Sequence, residues 1–447
     1  MAGRFTCLVE RQWGGLVKLW EEDKERVNME GRQHRKPGTA EEKKDRIKRA
    51  SIHLLSKGNT SKCMNLLTSD GLADLDDPQV RKQVQAKHPP RGQEIQETVV
   101  LKSPVSNLKG LRNSLKNLKR KKGSSPGAGG CRPEYLVTLG EVMQADRMEM
   151  FEDVCLLYLN SKLPPWFYQV FLTTRTVAPY KDNTHGPVWP IGVQHPLPRV
   201  LGSYVVQENK MELVSFLEPQ QLALSRGGCS KLYTTLRMLV EEGPSRNVLV
   251  KYDKENAFNC CSRARAVKVY SKEPTLSHLA SHAATTLAPT IALEDRGKVW
   301  GWGEEGYTQG APRSSTDFCC STQEYLVRLD TMVRQGGGQA LALMDDGYVY
   351  GPPEVVFPAI KVFELEILSN CGLKLQRSKC EVLSWSGALP EGCPDGFKLA
   401  GDVIDGRFEP GLMCVGVPMG SDTWIKRKMM GKVEELGEEM EKVVSGG

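Results

Sequence analysis

Apolar residues recur along this chain with both helical and strand spacing. Leu108, Leu111, Leu115 and Leu118 repeat at helical intervals while Lys109, Arg112, Lys116 and Lys119 through Lys122 fill much of the remaining surface, which predicts an amphipathic basic helix. A second helical pattern runs from Glu141 to Tyr158 and is ended by Pro164-Pro165; Thr173–Ala178 then reads as a strand. Past Glu212 helical patterns alternate with short strands, predicting an α+β domain with antiparallel pairing. The tail, with Ile425, Met429, Val433, Leu436, Met440 and Val443, reads as one amphipathic helix. Between Ser51 and Pro90 the patches Leu54-Leu55 and Met64–Leu67 are punctuated by Gly58, Gly71 and Pro78, predicting short helices joined by turns.

Composition narrows the class. A chain of 447 residues that is 40% hydrophobic can bury a core and has room for two or three domains. The net charge of +6 is unevenly spread: residues 1–130 hold 27 Lys and Arg against 15 Asp and Glu, so the remainder is acidic. A basic end suits a polyanion and an acidic end suits cations. The 13 cysteines are scattered, with no Cys-x-x-Cys or Cys/His cluster of zinc spacing, which predicts reduced thiols. No apolar run approaches the roughly 18–20 residues of a membrane span, and the start lacks the apolar core of a secretory signal. A soluble intracellular protein of nucleus or cytoplasm is expected.

The chemistry lies in carboxylates. Val248-Leu-Val-Lys-Tyr-Asp253 is an apolar strand ending in an acid, and Ala340–Tyr350 reads as a β-hairpin turning at Asp-Gly around Asp345-Asp346-Gly347. Either feature alone is an ordinary cap or turn. Together, 92 positions apart with helix, strand and turn patterns between them, they can bring three carboxylates to one edge of one sheet. Clustered carboxylates repel unless cations neutralise them, and hard oxygen ligands of this kind select Mg²⁺ or Mn²⁺. Two such ions roughly 3.5–4 Å apart can activate a 3′-hydroxyl and stabilise leaving pyrophosphate, which is nucleotidyl transfer.

These residues resemble the reverse transcriptases of non-LTR retrotransposons. Asp253-Lys-Glu-Asn-Ala-Phe258 is similar to that family's first catalytic block, Gly306-Tyr-Thr-Gln-Gly-Ala-Pro312 to its Gln-Gly-x-Pro block, and Leu343-Met-Asp-Asp346 to its x-Asp-Asp block. Gly372–Lys379 resembles the Gly-Leu-x-Leu-Asn-x-x-Lys block, and Gly416–Gly420 the glycine block near the primer grip. Upstream, Gly123–Gly127 with Arg132-Pro-Glu134, and Pro190–Val193 with Arg199, resemble fingers segments, so the likeness spans roughly residues 105 to 445 in the family's own order.

The resemblance implies a right-hand polymerase with a ferredoxin-like antiparallel palm sheet packed on helices, mostly helical fingers and an incomplete thumb. The implied organisation is a charged extension over 1–104, fingers and the start of the palm over 105–245, the palm over 246–422, and a C-terminal helix over 423–447. Asp253, Asp345 and Asp346 would hold two Mg²⁺ or Mn²⁺ ions, and Lys379 would lie near pyrophosphate. Phe258 would exclude a 2′-hydroxyl, Gln309 and Gly310 would approach template and incoming base, and Lys181 and Arg199 would contact phosphates. The implied partners are an RNA template, a DNA primer and deoxynucleoside triphosphates, with no membrane; oligomeric state carries no signal.

Several positions depart from the family pattern. Trp189 stands where a basic residue precedes Pro-Ile, Ala311-Pro312-Arg313-Ser314 replaces the usual Asp-Pro-Leu-Gly continuation, and Leu343 replaces an aromatic. Only one helix follows Gly420, and no endonuclease or RNase H block is present, so a truncated or degenerate copy is expected. Two other readings stand beside reverse transcription: an RNA-dependent RNA polymerase, which Phe258 opposes, and a nucleic-acid-binding relic whose catalysis has lapsed.

Overall fold

The computed structural model describes residues 71–95, 125–142, 145–180 and 186–444, with scattered helical positions between 14 and 52 and residue 110. Apart from Gly110, the residues of the expected basic helix over Leu108–Leu118 lie outside the described residues, as does Lys181. In chain order the described elements begin with α1 (Pro78–Ala86), α2 (Pro133–Val142), α3 (Ala145–Leu159), α4 (Pro165–Phe171), β1 (Thr174–Val177), β2 (Ile191–Gln194), α5 (Pro196–Glu208), α6 (Lys210–Leu217) and α7 (Gly228–Glu242). They continue with β3 (Val248–Tyr252), α8 (Ala257–Cys260), α9 (Arg263–Lys272), α10 (Ala280–Leu287), β4 (Ile291–Asp295), β5 (Lys298–Gly303), α11 (Ser314–Arg334), β6 (Gln339–Leu343), β7 (Asp346–Gly351) and α12 (Pro353–Cys371). The last are β8 (Glu381–Leu383), β9 (Lys398–Leu399), β10 (Gly401–Ile404), β11 (Arg407–Cys414), β12 (Val417–Gly420) and α13 (Asp422–Val444).

This is a mixed α+β architecture. The expected strand near Thr173–Ala178 forms as β1, and the tail forms one helix, α13. The helical pattern from Glu141 to Tyr158 falls across two helices: Glu141 and Val142 end α2, which begins at Pro133, and Ala145–Tyr158 lies in α3.

A five-stranded sheet of order β6-β7-β3-β8-β9 forms the centre. The run β3, α11, β6-β7, α12, β8 is a β-α-β-β-α-β unit, and every pairing among those four strands is antiparallel. β3 is apolar at every position but Lys251 because both of its faces are covered. Val248, Val250 and Tyr252 enter the large core with Phe318 and Leu326 of α11 and Ile360 and Phe363 of α12. Leu249 enters a second core with Leu232 and Leu236 of α7 and Leu412 and Met419 of the β10-β11-β12 sheet.

α12 shows why the helices stop where they do. Pro353 opens it, where a missing N–H costs nothing, and Gly372 closes it at φ +67°, with the Gly372 and Leu373 N–H groups donating back to Leu368 and Ile367. A second sheet, β2-β1-β4-β5, joins residues from both sides of position 245, because β1 pairs in parallel with β4. Among the described residues no helix is long and apolar enough to cross a membrane, and the cysteines are free, several of them fully buried.

The hairpin forms, but its turn is not where the sequence puts it. Leu343 pairs with Asp346, so the two-residue turn is Met344-Asp345 and Gly347 lies in β7. Gly347 serves close approach instead: a Cβ there would come 1.9 Å from Cζ of Tyr252, its partner on β3. Gly347→Ala is therefore expected to destabilise the fold by about 1–3 kcal/mol through overpacking, read as a lower denaturation midpoint in urea at unchanged slope. A midpoint equal to wild type would mean the Tyr252 ring can move aside freely.

Candidate active site on the β3–β7 edge

Strand register brings the first and last acids together. Tyr252 faces Gly347 across the β3–β7 pair, so the next position on each strand sets Asp253 opposite Asp346. Facing positions in an antiparallel pair lie about 4.5–5.5 Å apart at Cα. Asp345 is added by the turn between β6 and β7. All three side chains are half-buried. Burial first, then the negative charges of Asp345 and Asp253, push the Asp346 carboxyl above the ordinary aspartate range, while Lys251 and Lys254 pull it back.

Two lysines reach the acids from different directions. The segment 372–379 runs beside the end of β3, with Gln376 N–H donating to Asp253 C=O at 2.9 Å and Glu255 N–H donating to Lys374 C=O at 2.8 Å. This carries Lys379 to Asp253, with Nζ 3.2 Å from Oδ2. Lys254 turns to the opposite side, into the core, where its ammonium lies 4.8 Å from the Tyr252 ring and 5.8 Å from the Phe318 ring. It donates to Asp345 C=O at 2.9 Å. Burial pulls its pKa below the usual lysine value, and Asp345, Asp253 and Asp346 oppose that pull.

The remaining candidates are held by contacts of their own. Phe258 is half-buried, its ring stacked on Phe318 with centroids 5.0 Å apart, and its carbonyl accepts from Tyr307 N–H at 2.6 Å. That contact draws the 306–310 loop against the segment after β3. Gly306, at φ +73°, leaves no room for a Cβ, which would meet the Asn259 backbone at 2.2 Å. Gln309 C=O accepts from Gly192 N–H of β2 at 3.1 Å, and Gly310 is exposed at φ +100°. A small cavity between these loops is lined by Thr174, Ile191, Asn259, Arg263, Thr308 and Gln309, among others. Arg199 lies in the first turn of α5, half-buried, where desolvation lowers its pKa; it is not among the residues lining that cavity.

Two departures from the expected pattern have local partners. Trp189 carries a cation on its ring: Lys87 Nζ lies 5.4 Å from the ring centroid, and Lys87 C=O accepts from Asn256 Nδ2, three positions beyond Asp253, at 2.7 Å. Arg313 is enclosed and paired, 3.0 Å from Asp317, and donates to Thr286 Oγ1.

Three aspartates on one edge are chemically suited to hard divalent cations. Among the described residues, however, no three His, Cys, Asp or Glu side chains are gathered closely enough to hold an ion as they stand. Register sets Asp253 opposite Asp346 at the ends of β3 and β7, with Asp345 in the adjoining turn, and holding an ion there calls for these side chains to come closer together. Sequence reasoning overlooked Lys254 and Gln221. The signal for Lys254 was a lysine directly after a strand-terminal acid; that for Gln221, whose amide meets Met344 of the turn, was only a polar pair, Gln220-Gln221, ahead of an apolar residue.

No family model matches the chain, and no curated protein does. Among solved structures it is similar to apo telomerase from Candida tropicalis, at 9% identity over 49% of this chain and 45% of that one, with a TM-score of 0.38. A C-terminally truncated form of that protein is 10% identical over 48% of this chain and 50% of that one, at 0.36. Telomerase from Candida albicans, bound to a fragment of telomeric RNA, is 12% identical over 61% of this chain and 49% of that one, at 0.38. The chain thus spans half or less of the length of each of these solved chains.

Asp346 generates a test without ligands. An acid whose folded pKa is raised takes up protons on folding, so stability falls as pH rises from the ordinary aspartate value through the raised one. In protein stripped of divalent ions, Asp346→Asn is expected to melt above wild type at pH 7, with the gain gone below roughly pH 4, the ordinary aspartate value. Equal melting at pH 7 would show that neither burial nor the neighbouring acids press on Asp346.

Proposed function

We propose that this protein is an RNA-directed DNA polymerase of reverse-transcriptase type that adds deoxynucleotides to a primer 3′-hydroxyl. The observation that carries the reading is the facing of Asp253 and Asp346 across β3 and β7, with Asp345 at the adjoining turn and Lys379 on Asp253. These residues stand in the order of the reverse-transcriptase blocks, on a β-α-β-β-α-β sheet of the kind those blocks imply.

In this reading Asp253, Asp345 and Asp346 hold two Mg²⁺ or Mn²⁺ ions, whose chemistry is to lower the pKa of the attacking hydroxyl and neutralise the leaving group. Lys379 holds Asp253 in the free site and turns to the pyrophosphate when a nucleotide binds, donating a proton or charge to it. Phe258, backed by Phe318, closes the site beneath the sugar. The 306–310 loop, seated on Phe258 and Gly192, presents Gln309 and Gly310 to template and base. Arg199 and Lys181 would draw the triphosphate, with RNA and DNA strands as partners; the right-hand polymerase form belongs to the same proposal.

A second reading is favoured by one observation: the carboxylates are not gathered for an ion as they stand. On that reading the fold binds nucleic acid without catalysis.

Primer extension separates the two. With an RNA template, a DNA primer and Mg²⁺ or Mn²⁺, wild-type protein is expected to incorporate deoxynucleotides, and Asp345→Asn to lose about a thousandfold in rate. Lys379→Gln is expected to lose about a hundredfold in the chemical step with primer–template affinity retained. Salt-sensitive RNA binding with no incorporation under any of these conditions selects the second reading.

Phe258→Ala is expected to raise use of ribonucleotides relative to deoxynucleotides at least about tenfold, read as a ratio of kcat/KM. An unchanged ratio would leave Phe258 as core packing alone.

A further inference from the structure

The turn that carries Asp345 is held from outside its own hairpin. Met344 occupies the left-handed region at φ +59°, a conformation that costs a side-chain-bearing residue roughly 1–2 kcal/mol, so the tip does not favour this shape unaided. Gln221, 1% exposed, meets it with both ends of its amide: Oε1 accepts from Met344 N–H at 2.8 Å and Nε2 donates to Met344 C=O at 3.1 Å. Lys254, 5% exposed, donates to the next carbonyl, Asp345 C=O. Three backbone groups of a two-residue turn are thus satisfied by two buried side chains remote in sequence.

Both side chains are themselves fixed. The segment around Gln221 lies along the free edge of β6: Ala342 N–H donates to Gln220 C=O at 2.7 Å, and Leu222 N–H donates to Ala342 C=O at 2.9 Å. Gln220 donates to Asp330, whose other oxygen accepts from Ala340 N–H of the same strand. Lys254 is pinned by a bridge to Leu375 and by the Tyr252 and Phe318 rings. Nothing in this set calls for a bound ligand.

We propose that Gln221 and Lys254 are positioning residues, a clamp that presets Asp345 at the sheet edge before any cation or nucleic acid arrives. The role deepens the polymerase reading, because a donor held in place in advance spares the reaction its reorganisation. The clamp itself is a property of the fold and does not depend on turnover.

Hydrogen exchange tests it on the full chain. In chelator, wild-type amides over 342–346 are expected to be protected to nearly the level of β3, and Mn²⁺ to add little. Gln221→Leu and Lys254→Met, each removing one arm, are expected to speed exchange over 342–346 about tenfold or more while β3 amides keep wild-type rates. With primer, template and nucleotide, both variants are expected to lower kcat while leaving the KM for nucleotide within about twofold, since Asp345 is misplaced and not removed. Wild-type exchange over 342–346 in either folded variant overturns the clamp, and so does a wild-type tip that exchanges freely until Mn²⁺ is added. If wild-type protein shows the expected exchange but no incorporation on any template, the polymerase reading fails and the clamp stands.

Discussion

The register of β3 against β7 is the constraint on which the site depends. It is set where the Tyr252 ring lies against Gly347, whose bare backbone admits it. Strand side chains alternate, so a slip of one residue would send Leu249 and Lys251 into the large core and turn Val250 and Tyr252 to the other face. It would also part Asp253 from Asp346. Packing energy in the interior thereby fixes an arrangement of charges at the rim that is itself unfavourable, as the raised pKa of Asp346 records. Core burial offsets the cost of the acidic edge.

From β3 the same logic extends outward through backbone hydrogen bonds. Asp253 C=O anchors Gln376, which brings Lys379 to the Asp253 carboxylate. Phe258 C=O anchors Tyr307, and Gly192 N–H holds Gln309. Segments far apart in the chain are thus placed by main-chain contacts, which carry the side chains named in the sequence with them.

Much of this was legible because it follows from periodicity and order. β3 and the β6–β7 hairpin announce themselves as apolar runs ending in acids, and their separation leaves room for the crossover that α11 supplies. The exact turn was not legible. Asp346-Gly347 has favourable turn chemistry, yet the glycine was needed under Tyr252, and tertiary contact overrode the local preference. Nor could local sequence show that Gln221 would meet Met344 across 123 positions, or that Lys254 would point inward. Side-chain direction at the end of a strand is settled by what packs beneath it, and here two aromatic rings made a place for a cation.

That buried cation is not isolated, and the others show how departures from a family pattern can be accommodated. Arg313 stands where an apolar residue is expected, yet it pairs with Asp317, which also accepts from Tyr270 at 2.7 Å. Removing either partner alone would strand a buried charge, so the pair is retained or lost together. Arg263 goes further: its guanidinium donates to Gly306 C=O at 2.6 Å, Pro289 C=O at 3.0 Å and Gly303 C=O at 3.1 Å, while its backbone N–H donates to Glu305. Glu305 in turn accepts from Gly92 N–H at 3.0 Å. One side chain therefore ties α9 to both ends of the β4–β5 hairpin and to the start of the 306–310 loop. A helix that follows β3 in the chain, and not the outer sheet alone, holds the start of the loop that carries Gln309.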